Sequence, residues 1–106
     1  MLKSKIVTIG NKKITINELR AKDALTLFAD ENNVLGKFLS GDVEATKHML
    51  TLSGNLTIEE AVECMEAAND FVVIHRAIME INKSFFEGYT LMIQRMIAMT
   101  KSLTGS

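Results

Sequence analysis

The chain has 106 residues, of which 47% are hydrophobic, and its twelve basic and thirteen acidic side chains leave a formal charge of −1. That length fits one domain over residues 1–106, because single domains cluster at roughly 100–150 residues. The charges are mixed along the chain, so the basic stripe needed to hold nucleic-acid phosphates or an anionic membrane is missing, and the single cysteine excludes both an intrachain disulfide and a thiolate zinc site within one chain.

The first element is a β-hairpin over about 5–16. Lys5-Ile6-Val7-Thr8-Ile9 and Lys13-Ile14-Thr15-Ile16 are rich in β-branched residues, and they flank Gly10-Asn11-Lys12, where Gly and Asn can take the positive φ of a tight turn. A lone hairpin is marginal in water, so it must lie against a helix or pair with another chain. Helical residues then occupy about 18–100. A helix is predicted from about Lys22 to Glu31, with Leu25 and Phe28 on one face and Leu27 beside them, ended by Asn32-Asn33. Val34 to Leu39 has the composition of a helical turn. Asp42 can cap a helix from Val43 to Leu52, which Ser53-Gly54-Asn55 closes.

Thr57-Ile58-Glu59-Glu60 matches the capping box, in which the Thr57 hydroxyl serves the Glu60 N–H and the Glu60 carboxylate bonds back. From Ile58 one helix can run to about Phe86 and beyond. Cys64, Ala67, Phe71, Ile74, Ile78, Ile81 and Phe85 form a stripe at spacings of three and four, and Tyr89, Met92, Met96, Met99 and Leu103 continue it. Gly88 costs roughly 1 kcal/mol against alanine in a helix interior and coincides with a change in the apolar rhythm, which predicts a bend, a break or a straight crossing near Phe86–Tyr89. The last residues, 101–106, are expected to fray. The fold expected is mainly α: a two-stranded hairpin followed by a bundle of about four helices, the last one long.

No residue pattern here points to catalysis or to a cofactor. Cys64 and His75 are eleven residues apart, about 16 Å along one helix at 1.5 Å per residue, too far for a nucleophile–base pair. His48 and His75 belong to no ligand motif, and Glu59, Glu60, Glu63 and Glu66 form an acidic band suited to the positive end of a helix and to solvent. Neither an EF-hand spacing nor a phosphate-cradling glycine loop occurs. No metal, cofactor or small-molecule substrate is expected. Charges such as Asp70, Arg76, Glu80, Lys83, Glu87 and Arg95 interrupt the apolar C-terminal half, so no bilayer span is expected, and Met1-Leu2-Lys3-Ser4-Lys5 leads into an alternating strand rather than a secretory signal. A soluble protein of a reducing cytoplasm fits these features.

The apolar stripe is longer than one small core can use. Phe85 continues the main series with Ile78 and Ile81 and is expected in the core. Phe86, Tyr89, Met92, Ile93 and Met96 are the residues expected to meet a partner. Three covers suit Met92, Met96 and Met99 with Ile93 and Ile97 alongside: the protein's own core, a second copy of the chain, or an apolar helical client in a flexible groove.

In this order the elements resemble the small tail assembly chaperones of long-tailed, siphovirus-type bacteriophages. The resemblance rests on the hairpin followed by Glu18-Leu19 and a helix with Asp23, Leu25 and Leu27, on Leu56-Thr57-Ile58-Glu59-Glu60 as a late helix start, and on a closing Asn82-Lys83-Ser84-Phe85-Phe86. It covers about residues 5–86; the apolar segment 89–103 departs from it, since members of that family often end soon after the double phenylalanine. The resemblance implies a non-enzymatic protein in the cytoplasm of a bacterial host carrying a phage or prophage. Its implied partner is the tape measure protein, kept soluble until tail-tube subunits polymerise around it. The alternative is a small helical adaptor that acts by homo-oligomerisation without an unfolded client. A helical nucleic-acid regulator would have only Lys12-Lys13 and Arg20 with Lys22 as clustered cations.

Overall fold

The structure is a computed structural model that describes residues 2–103. It begins with an antiparallel hairpin of β1 (Ser4–Ile9) and β2 (Lys12–Asn17), in which Val7 faces Ile14 and Ile9 faces Lys12. Gly10 opens the two-residue turn at φ 59°, the positive value that the first central position of a II′ hairpin turn requires. Alternation then sorts the sheet by face: Val7, Ile9, Ile14 and Ile16 are buried while Ile6, Thr8, Lys13 and Thr15 stay wet.

Six helices follow among the described residues, where about four were expected: α1 (Ala21–Ala29), α2 (Val34–Leu39), α3 (Val43–Ser53), α4 (Ile58–Cys64), α5 (Ala68–Ile81) and α6 (Lys83–Leu103). α1 stops two residues before the predicted Glu31, and α2 takes the predicted Val34 to Leu39 turn. Asp42 caps α3 by accepting the Ala45 N–H at 2.9 Å, and the Thr57–Glu60 capping box is complete in both directions. Asn33 and Asn55 take the left-handed conformation, at φ 53° and 52°, in the turns between helices.

α5 is the organising helix. It packs on both strands of the hairpin and against α3, burying Ile74, Ala77 and Ile78, so the hairpin rests on a helix of its own chain. At the centre Phe38, Met49, Leu50, Ile74 and Ile78 have no or almost no contact with solvent. Phe38 stacks on His75 with centroids 4.4 Å apart, and the His75 Nε2–H donates to the Phe38 carbonyl at 2.8 Å.

The single helix expected from Ile58 to Phe86 is instead three. It breaks at residues 65–67, where Met65 and Ala67 leave helical geometry, and again at Asn82. Of the outcomes expected near Gly88, a break does not occur: α6 runs through Gly88 as continuous helix, and the break lies six residues earlier. Asn82 explains that position. Its buried side chain accepts the Leu19 N–H at 2.8 Å and donates to the Ile78 carbonyl at 3.0 Å, which ties the entry to α1 to the α5–α6 junction. Residues 101–103, expected to fray, belong to α6; the rest of that expected tail, 104–106, lies outside the described residues.

Candidate functional site

α6 has two halves in different surroundings. Its first two turns root it in the body through aromatic rings, and the sequence reading of the two phenylalanines is reversed there. Phe86 is the core residue, 3% exposed and stacked on Phe38 at 5.3 Å, whereas Phe85 is half-buried. The restart at Lys83 is the cause, because it rotates α6 relative to the stripe of α5 that a continuous helix would have extended. Phe85 instead meets Phe28 of α1 edge-on at 5.9 Å, and Phe28 also lies 5.5 Å from Tyr89. The Tyr89 hydroxyl reaches the Asn33 Oδ1 at 3.4 Å. Phe86 is therefore a buried ring rather than an exposed one, and Tyr89 is already engaged on one side.

Beyond Tyr89 the helix leaves the body. From 90 to 102 every residue is exposed except the half-buried Ile93. Thirteen residues at 1.5 Å each make an overhang of about 20 Å. The apolar face continues along it: at 100° per residue Met92, Ile93, Met96, Ile97 and Met99 fall within one sector, and Arg95, Ala98 and Ser102 lie outside it. Met96 is 55% exposed, Ile97 51% and Met99 64%. Of the five expected partner residues, Met92, Ile93 and Met96 stand on this free face. Ile97 and Met99, which stand outside those five although the helical period places them on the same surface, share this face.

The apolar surface does not stop at α6. Leu25 and Phe28 of α1 are exposed beside its root, and on the other flank an apolar groove of about 560 Å³ opens between Leu39, Met79, Phe86 and Leu91, with Lys83 and Gln94 at its edge. Charge along the overhang is sparse, with Arg95 and Lys101 as its charged side chains among the described residues.

The remaining chemistry-bearing residues are spread through the fold. Cys64 is buried, and burial pushes its thiol above the ordinary range, away from thiolate reactivity. His75 is held in the aromatic stack and His48 is exposed on α3. Glu60 is held below the usual carboxylate range by the Thr57 backbone N–H and hydroxyl, and Glu80 by its hydrogen bond and ion pair with Lys5 across to β1. Among the described residues no three His, Cys, Asp or Glu side chains are grouped to hold a metal, and no helix is long and apolar enough to cross a membrane. Compared with known proteins, the chain matches no family model, no curated protein and no solved structure.

Proposed function

We propose that this chain is a non-enzymatic tail assembly chaperone of a long-tailed bacteriophage or prophage, acting in the cytoplasm of the bacterial host. It holds apolar helical segments of the tape measure protein against the overhanging face of α6, formed by Met92, Ile93, Met96, Ile97 and Met99. One observation carries the binding part of this reading: an apolar stripe runs about 20 Å past the aromatic root of α6, and among the described residues its Met92, Met96, Ile97 and Met99 stand exposed. Methionine suits such a surface, since its flexible thioether adapts to irregular partners and leaves the contact easy to dissolve. Reversibility is required, because tube subunits must replace the chaperone. The identification of the client rests on the sequence resemblance over residues 5–86.

Co-expression tests the reading. A tape measure protein that is insoluble alone should become soluble with this chain and should co-purify with it. A tape measure that stays insoluble, or is recovered equally without this chain, would overturn it.

A further inference from the structure

The described residues contain six methionines, and the fold sorts them by their access to solvent. Met49 is sealed in the centre of the core, and Met65 and Met79 are half-buried against it. Met96 and Met99 have more than half of their surface in water, roughly one turn apart on α6, with the less exposed Met92 one turn nearer the root. At 100° per residue these three sulfurs fall within about 60° of one another around the helix. Cys64, the one thiol of the chain, is buried, and that burial disfavours the thiolate form that reacts with peroxides. Among the described residues, the thioethers of Met96 and Met99 are therefore the first sulfur nucleophiles that a diffusing oxidant meets.

The chemistry at such a sulfur is a transfer of one oxygen atom. A sulfur lone pair attacks one oxygen of hydrogen peroxide; the S–O bond forms as the O–O bond breaks, the sulfur is oxidised by two electrons, and water leaves. The sulfoxide is polar and accepts hydrogen bonds, so a side chain suited to apolar contact acquires a group that is costly to bury without a donor. The body does not feel the change. Met96 and Met99 stand outside the core cluster and outside the residues packed on it, while Met49, on which the core depends, is shielded.

We propose that Met96 and Met99 form a reversible oxidation site, each taking one oxygen atom from a peroxide and together turning the overhang of α6 from apolar to polar while the body stays folded. Reduction by a dithiol enzyme, which carries the oxygen off as water and closes its own disulfide, restores the apolar face. Where the overhang holds an apolar client, a consequence that rests on the function proposed above, oxidation releases that client. The oxidation site itself does not depend on the identity of the client.

The site is tested on the purified chain without a client. Treated with hydrogen peroxide and mapped by peptide mass spectrometry, Met96 and Met99 should gain oxygen at least about tenfold faster than Met49, and faster than Met65 and Met79. The oxidised chain should leave a hydrophobic-interaction column earlier than the untreated one, with an unchanged unfolding midpoint in urea. The two methionine sulfoxide reductases, one for each sulfoxide epimer, should restore its retention when supplied with dithiothreitol. Met96→Leu combined with Met99→Leu keeps the face apolar without the sulfurs, and should lose most of the peroxide-induced shift. Met49 oxidised as fast as Met96 and Met99, unchanged retention once both are sulfoxides, or a collapse of the unfolding midpoint would each overturn the proposal. A tape measure fragment adds a separate arm: its binding should weaken about tenfold or more on oxidation of the wild-type chain and persist in the leucine variant. Equal binding by the oxidised chain would overturn the release, whereas a fragment that never binds the untreated chain would count against the function proposed above and leave the column result to decide the oxidation site.

Discussion

Replacing Asn82 with alanine should destabilise the whole domain, although the residue lies in a one-residue break between helices. Asn82 is buried, and its Oδ1 is the acceptor for the Leu19 N–H at 2.8 Å. Alanine leaves that buried donor unpaired, which costs about 1–3 kcal/mol. The Ile78 carbonyl loses the side-chain Nδ2–H but still accepts the Asn82 backbone N–H at 3.2 Å, so its share is small. With the lost packing of the amide the sum is about 2–3 kcal/mol, or a melting temperature lower by roughly 10–20 °C in a domain of this size. Urea unfolding followed by circular dichroism measures it. Asn82→Asp sharpens the test, since an ionised carboxylate keeps the Leu19 acceptor but turns a negative oxygen toward the Ile78 carbonyl. That variant should be worse than alanine at pH 7. Its buried carboxyl has a folded pKa raised above the unfolded one, so the deficit should shrink as pH falls and the protonated acid donates to Ile78. A cost below about 0.5 kcal/mol for Asn82→Ala would refute the assignment of Asn82 as the latch between the α1 entry and the α5–α6 junction.

Phe86→Ala should cost about 3–5 kcal/mol in urea unfolding and Phe85→Ala clearly less, because the first ring is buried on Phe38 and the second is half exposed against Phe28. Gly88→Ala should stabilise the protein by about 0.5–1 kcal/mol in the same assay, since the position is inside a helix, its φ is not positive, and an added Cβ meets nothing within 4 Å. Thr57→Ala should cost about 1 kcal/mol by loss of the capping box. Protection of the amides in the first turn of α4, relative to their intrinsic exchange rate at each pH, should fall as pH is lowered through the depressed Glu60 range: a carboxyl with a lowered folded pKa stabilises above its unfolded value and stops doing so as it is protonated.

The hairpin, the Asp42 cap and the Thr57–Glu60 box were legible because each is a local signal: β-branched alternation around a glycine turn, and a side-chain oxygen three residues before the N–H it serves. The breaks in the long helix were not. Met65-Glu66-Ala67 consists of good helix formers, so local propensity favours continuity, and the turn there is imposed by packing of α4 and α5 around α3. At Asn82 the break depends on Leu19, sixty-three residues earlier, a partner that no helical window contains. Missing that break also reversed Phe85 and Phe86, since a stripe extrapolated through it assigns the wrong ring to the core. Gly88, the weakest helix former in the region, breaks nothing, because about 1 kcal/mol of lost propensity is small beside the contacts of Phe85, Phe86 and Tyr89 that hold α6 on either side of it. The candidate surface was legible as surplus: the helical period showed more apolar face than one core uses, and the fold located that surplus at Met92 to Met99.

The central claim is that the α6 overhang is where an apolar helical client docks. Amide hydrogen exchange across residues 90–103, compared for the chain alone and with a soluble helical fragment of the tape measure protein, tests it most directly. Added protection should concentrate in that segment, be absent from the exposed strand face around Lys13 and Thr15, and be lost in Met96→Glu. Unchanged exchange across 90–103 in the presence of a bound fragment would show that the client docks elsewhere and would contradict the claim.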